Sequence, residues 1–324
     1  MDRKYRMRDA LLLMATFTVS VPTHAQTYPV KPVRVVSPYP PGSSADVIGR
    51  IYAPKLAEIC GQQFIVDNRA GAAGNIAGEL VAHAAPDGYT LLLLNTPLVS
   101  SQSLYKDLSF DVGRDFQAIA MLGTAPHMLV VNVSSPVKNV QELIALAKAR
   151  PGQLNYASGS TGSAGHLAGE LFDSMAGVRM THIPYKGAAP AVIDLIAGHV
   201  SLMFDNLASA LPNIKAARVR ALAVTTLKRS PLLPEVPTIS ESGLRGFDVS
   251  TWFGIFAPAG TPPEIVARLN AEVVRLLHTA EMRERLALLG AEPIGNKPDE
   301  FAAFIKAEIP KYAKVVKASG AKVD

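Results

Sequence analysis

Apolar residues along the chain fall into two alternating rhythms. Short runs rich in branched side chains, VRVV (33–36), FIVD (64–67), TLLLLN (90–95), MLVVN (128–132), SLMFD (201–205) and ALAVTT (221–226), have the length and composition of buried strands. Between them ADVIGRIYAPKLAEIC, NIAGELVAHAA, NVQELIALAKAR, AGHLAGELFDSMAG and PAVIDLIAGH repeat apolar positions every three or four residues, the spacing of one helix face. Alternation of this kind, with strands apolar on both faces, predicts an α/β fold of parallel sheets covered by helices. A further strand, WFGIFAP, and three helical stretches follow. Pro262 and Pro263 suit a helix start there, and Pro310 predicts a kink or break in the last helix.

The first 25 residues follow a different logic. Arg3, Lys4, Arg6 and Arg8 precede an uncharged run over residues 10–21, and Thr23-His24-Ala25 stands before Gln26. A basic start, an apolar centre too short to span a bilayer and small residues at the end predict a cleavable signal and a periplasmic destination. Cutting there leaves 324 − 25 = 299 residues, near the size at which a chain divides into two lobes. Nothing resembling a repeat or a low-complexity linker separates independent domains, so interleaved lobes are expected. Residues 26–124 and 228–324 would form one and 125–227 the other, with crossings near 123–126 and 225–229. Four basic and two acidic residues lie in the leader, so the formal net charge of +5 becomes +3. The remaining basic residues are spread out and few aromatics interleave with them, which argues against nucleic acid as a partner. Cys60, the single cysteine, cannot form an internal disulfide and reads as a small buried apolar side chain.

Chemistry in open α/β sheets collects where loops leave the carboxyl ends of strands and helices begin. SPYPPGSSADVIGR, residues 37–50, is such a corner: Pro38, Pro40 and Pro41 direct the path, Gly42 permits a turn closed to other residues, and Ser43, Ser44 and Asp46 stand at the helix start. Either Ser43 and Asp46 merely cap the helix, or its free amides and positive dipole end hold an anion. YASGSTGSAGH, residues 156–166, repeats the plan with Ser158, Ser160, Thr161 and Ser163. His166 there reads as a structural donor before it reads as a catalyst. HIPYKG (182–187) offers Tyr185 and Lys186, and Asn95, Thr96, Asp205 and Asn206 are polar residues at strand ends. The sequence holds no G-x-S-x-G elbow, phosphate loop, G-x-G-x-x-G, H-E-x-x-H or C-x-x-C, and its seven histidines make no metal-ligand spacing. No cofactor, metal or catalytic residue is implied, and a chain furnished with hydrogen-bond donors alone has the profile of a binder.

Several motifs, in order, carry a resemblance: YPVKPVRVVSPYPPGSSADVIGR, VDNRAGAAGNIAGE, PDGYTLLL, LNYASGSTGSAGHLAGELF, HIPYKGAAPAVIDLIAGHVSLMFDN, RALAVTTLKRSPLLPEVPTISESG and WFGIFAPAGTP. From about Tyr28 onward the chain resembles the periplasmic receptors of tripartite tricarboxylate transporters, the Bug family of extracytoplasmic solute receptors. The resemblance implies a monomer of the two-lobed type II periplasmic-binding fold that closes on a small carboxylate and hands it to membrane permease subunits. It implies that Pro41, Gly42, Ser43, Ser44 and Asp46 hold the ligand's carboxylate together with Ser158, Gly159, Thr161, Gly162 and Ser163. Asn95, Thr96, Tyr185 and Asp205 would then read the rest of the solute. The family's first loop usually has two glycines where this chain has Gly42-Ser43, so Ser43 either narrows that corner or adds a hydroxyl donor. Two other outputs stay open: signalling to a membrane sensor kinase, and hydrolysis by an exported enzyme using Ser163 with His166.

Overall fold

A computed structural model describes residues 28–319 apart from residues 106 and 289; the expected signal lies outside them. Strand β1 (Val33–Ser37) leads into helix α1 (Ser44–Cys60), β2 (Phe64–Asn68), α2 (Asn75–Ala82), β3 (Thr90–Asn95) and α3 (Thr96–Leu104). Strand β4 (Phe116–Asn132) is followed by α4 (Val140–Ala149), β5 (Asn155–Ser158), α5 (Ala164–Ala176), β6 (Thr181–Pro184), α6 (Ala188–Ala197), β7 (Leu202–Asn206), α7 (Leu207–Lys215) and β8 (Val219–Val224). Last come β9 (Ser250–Pro258), α8 (Pro263–Leu277), α9 (Ala280–Leu288), the short β10 (Glu292–Pro293) and α10 (Pro298–Ser319).

The strands run in the order β2-β1-β3-β9-β4-β7-β5-β6, with β8 and β10 also on β4. The all-parallel expectation needs correction. Strands β1, β2 and β3 pair in parallel, as do β5, β6 and β7, but β9 is antiparallel to β3 and β4, and β4 is antiparallel to β7 and β8. Direction was illegible because these strands are buried on both faces whichever way they run. In TLLLLN, Leu91 and Leu93 enter one core while Leu92 and Leu94 enter another, so the apolar run is continuous with no alternation to read.

Strand β4 joins the two sheets. Its residues from Phe116 to Pro126 pair with β9, and those from His127 onward pair with β7 and β8. Beyond β8, Ile239, Leu244, Phe247 and Val249 pack into the core of the β5–β7 sheet beside Phe172 and Phe204. That packing differs from the expected crossing near 225–229: the chain stays against the second sheet until β9 begins. The loop from 226 to 249 has too little periodicity for its allegiance to be read from sequence. Pro263 opens α8 with Pro262 as its cap. Helix α10 runs through Pro310 as one helix, and it packs against α3, β4 and also α5 of the other sheet. That two-sided packing holds the helix where the missing N–H would break an isolated one. Among the described residues no helix is long and apolar enough to cross a membrane.

Candidate ligand-binding site

The loop after β1 and the loop after β5 are the same device. Gly42 (φ +83°) and Gly162 (φ +78°) both take the left-handed conformation that excludes most side chains. Ser43 and Ser163 follow with φ −67°, ψ 158° and φ −66°, ψ 159°, as N-caps of α1 and α5. Each serine Oγ accepts the amide three residues on, from Asp46 and from His166, at 3.3 Å. Each N3 side chain reaches back to the glycine amide: Gly42 N donates to Asp46 Oδ2 at 2.9 Å and Gly162 N to His166 Nδ1 at 3.0 Å. The serine amides themselves bond Pro40 O and Ser160 O. This is a capping box displaced by one residue. In each lobe it leaves the first two helical amides, Ser44 and Ala45 or Ala164 and Gly165, without an intrahelical acceptor at the positive end of the dipole.

Helix α3 lies against both loops. Tyr39 Oη donates to Asn95 Oδ1 at 2.9 Å, and Asn95 is the N-cap residue of α3. Ser100 Oγ, one turn along, lies 3.2 Å from Gly162 O and shares its hydrogen between that oxygen and Pro97 O at 2.9 Å. Five residues of helix span about 7.5 Å, so the two glycine corners meet one short helix on neighbouring turns. A Cβ on Gly162 would stand 2.9 Å from Leu104 Cδ1, which shows how close this approach is. Neither Tyr39 nor Ser100 was among the residues expected from sequence. Tyr39 sits amid the prolines of the first loop, and burial raises its hydroxyl far above the usual phenol value, so it remains a donor.

The side chains expected to read a ligand divide into groups. Pro41, Gly42 and Ser44 are exposed at the first corner and Thr161 at the second, with Ser43, Gly159 and Ser163 half-buried. Asp46 is buried and committed: it accepts from Gly42 N, Asn68 Nδ2 and Arg50 Nε. Burial pushes its carboxyl up, but the bonds from Arg50, Gly42 and Asn68 outweigh that and hold it below the usual range. Asp46 therefore shapes the corner as a fixed anion. Ser158 is buried too, with Oγ donating to Ser160 O at 2.9 Å and 2.7 Å from His182 Nε2. Thr96 ties α3 to β9, its Oγ1 donating to Ser250 O and accepting from Trp252 N. Tyr185 Oη donates to Asp194 Oδ2 at 2.6 Å. Asp205, at the end of β7, is 2% exposed with Oδ1 lacking a partner. Burial raises its carboxyl to about 7, against contacts with Ser209 and the Asn206 amide.

His166, expected as a donor, instead accepts through Nδ1, which places its proton on Nε2, 3.6 Å from Glu170 Oε1. Ser163 Oγ donates to Ser160 O, not to His166. The Ser163–His166 pair thus lacks the bond that would activate a nucleophile. Among the described residues no three His, Cys, Asp or Glu side chains are grouped to hold a metal ion.

The sequence profile described as "Tripartite tricarboxylate transporter family receptor" matches residues 48–321. The chain belongs to this family. It is 39% identical over 314 residues to Protein BugT of Bordetella pertussis, covering 96% of both chains. The solved structure of R. palustris Rpa4515 with adipate is 40% identical with a TM-score of 0.79, covering 90% of this chain and 98% of that one. MatC (Rpa3494) from Rhodopseudomonas palustris with bound malate is 34% identical with a TM-score of 0.76, covering 89% and 100%. The fold is the two-lobed type II fold of these periplasmic solute-binding receptors. Within it the Gly42-Ser43 departure finds a local reason. Ser43 has an extended backbone with negative φ, so no glycine is needed there, and its Oγ caps α1 as Ser163 caps α5.

Proposed function

We infer that this family member is a periplasmic receptor that captures a small carboxylate-bearing anion, of the dicarboxylate class, between the starts of α1 and α5. As a monomer it delivers that anion to the membrane permease of a tripartite tricarboxylate-type transporter, without chemical turnover. The observation that carries this reading is the duplicated Gly-Ser corner, whose free helical amides in both lobes abut α3. Two such corners hold two negative ends, or one carboxylate from two sides, without any formal positive charge on the protein. Ser43 Oγ accepts from the Asp46 amide and keeps its hydroxyl hydrogen for the ligand. The adipate and malate of the two solved relatives belong to the same chemical class.

Thermal unfolding of the exported chain with adipate, malate and their diamides tests the reading. A binder at a hundredfold its Kd adds about 2.7 kcal/mol to stability. The acids are expected to raise Tm and the diamides to leave it in place. Stabilisation by diamides with none from the acids would reject the anion-clamp assignment.

A further inference from the structure

The two corners differ at one position. Where the first returns a carboxylate to the glycine amide, the second returns an imidazole nitrogen. Asp46 is held ionised by Arg50 and Asn68 and cannot donate. His166 accepts only while Nδ1 is bare. We propose that His166 is a positioning residue that makes the second corner responsive to pH: its unprotonated Nδ1 holds the Gly162 amide, and a proton on that nitrogen releases the corner and weakens carboxylate binding. This rests on the functional reading above.

The surroundings of the ring support that sequence of events. An imidazolium Nδ1–H would face the Gly162 N–H donor at 3.0 Å, two donors with no acceptor between them. The added charge would not reach the ligand unscreened. Glu170 Oε1 lies 3.6 Å from Nε2, and although burial pushes its carboxyl up, bonds from His166 and Tyr156 Oη prevail and keep it below the usual range. With the Glu170 carboxylate beside Nε2 offsetting the new charge, the lost amide bond decides the sign. The His182 ring from β6 stacks on His166 at 4.0 Å between centroids. Burial and then the His166 charge push His182 down to about 4. The remaining titratable groups around α5 are Asp173 on its own helix, raised to about 7 mainly by burial, Tyr156 on β5, Asp205 on β7 and His127 on β4. From α10, Glu308 and Lys311 pair at 2.8 Å, beside Tyr312. Helix α3, against Gly162, carries no charged residue. A depression of about 620 Å³ lined by Glu170, Asp173, Arg179 and His182 brings solvent to this cluster.

Histidine is the side chain that changes charge between pH 5 and 8, so titration calorimetry of adipate at pH 8 and pH 5 is the test. It compares the native chain with His166→Asn, whose Oδ1 stands where Nδ1 stood and does not titrate. Ionisation of adipate, Asp173 and Asp205 enters both proteins alike, so the quantity read is the ratio of Kd values within each. The native ratio is expected to exceed the variant's by about tenfold, the effect of one net hydrogen bond. Equal ratios overturn the proposal alone. Failure of adipate and malate to bind either protein at pH 8 overturns the functional reading and this inference with it. Nitrogen-15 NMR of the native, ligand-free chain gives a second readout that needs no variant. His166 is expected as the Nε2–H tautomer at pH 8, and finding the proton on Nδ1 refutes the proposal.

Discussion

Asp205→Asn is expected to stabilise the ligand-free protein in a pH-dependent way whose size follows from burial. The carboxyl is 2% exposed and burial lifts it from 3.8 to about 7. Because the folded value lies above the unfolded one, the native state binds the extra proton. The associated stability is complete below about 4 and is lost as pH rises through 7. From pH 5 to pH 7 the unfolded chain is ionised at this position while the native chain is not. Those two units, at 1.36 kcal/mol each, amount to about 3 kcal/mol of stability lost by pH 8. Asparagine keeps the size and an acceptor but never ionises. Urea unfolding followed by the fluorescence of Trp252, the lone and fully buried tryptophan, gives the stability of both proteins at pH 5 and pH 8. The margin of the variant over the native chain should be about 3 kcal/mol wider at pH 8, with other titrations, including Asp173, cancelling in the double difference. A margin of the same size at both values would show that Asp205 ionises freely and that the burial argument is wrong.

The paired corners allow two further tests. Gly42→Ala and Gly162→Ala impose the same left-handed strain, about 1–2 kcal/mol, but the added methyl meets nothing within 4 Å at Gly42 and Leu104 at 2.9 Å at Gly162. Urea unfolding should therefore show the second variant to be the less stable, and equal losses would deny the approach of α3 to that corner. Ser43→Ala removes the cap that accepts the Asp46 amide and should cost about 1 kcal/mol, measured in the same way, together with weaker binding of adipate by calorimetry.

Much of this organisation was legible in the sequence because it is local. Strand ends, helix starts and the two hydroxyl-rich corners announce themselves through apolar run length and turn chemistry within a dozen residues. The first half of β4, FQAIAMLGTAP, did not, since Gly123 and Pro126 interrupt it and read as a boundary. Pro126 lies in the strand because its neighbour across the sheet is Ser250, the first residue of β9, where the ladder of the first sheet ends. His166 as an acceptor was hidden for another reason: aspartate and histidine look unrelated until both glycine amides are seen to need a partner three-dimensionally in the same place. The spacing GSSAD and GSAGH, Gly-Ser-x-x followed by Asp or His, held the signal, and comparing the two loops with each other would have exposed it.

How the two corners stay in register follows from what the lobes share. Strand β4 crosses between sheets at Pro126 and His127, and the returning chain crosses at Val249 and Ser250, so both crossings fall on one rung. Thr225 closes that rung from the side of β8: its amide donates to His127 O, its Oγ1 accepts the His127 amide and contacts Val249 O, and the Val249 amide donates to Thr225 O. His127 Nε2 lies 2.9 Å from Thr251 Oγ1, and burial pushes that imidazole down to about 4, which keeps it neutral. Away from the rung, α10 packs on α3 and α5 together, and Leu167 of α5 shares a core with Trp252 and Tyr312. Relative rotation of the lobes would thus have to slide α5 on α10 and α3 on Gly162, the contacts that fix the spacing of the two helix starts. On the proposed function, ligand affinity and lobe closure are then coupled through α3, a helix whose only expected contributions from sequence were its first residue and its cap.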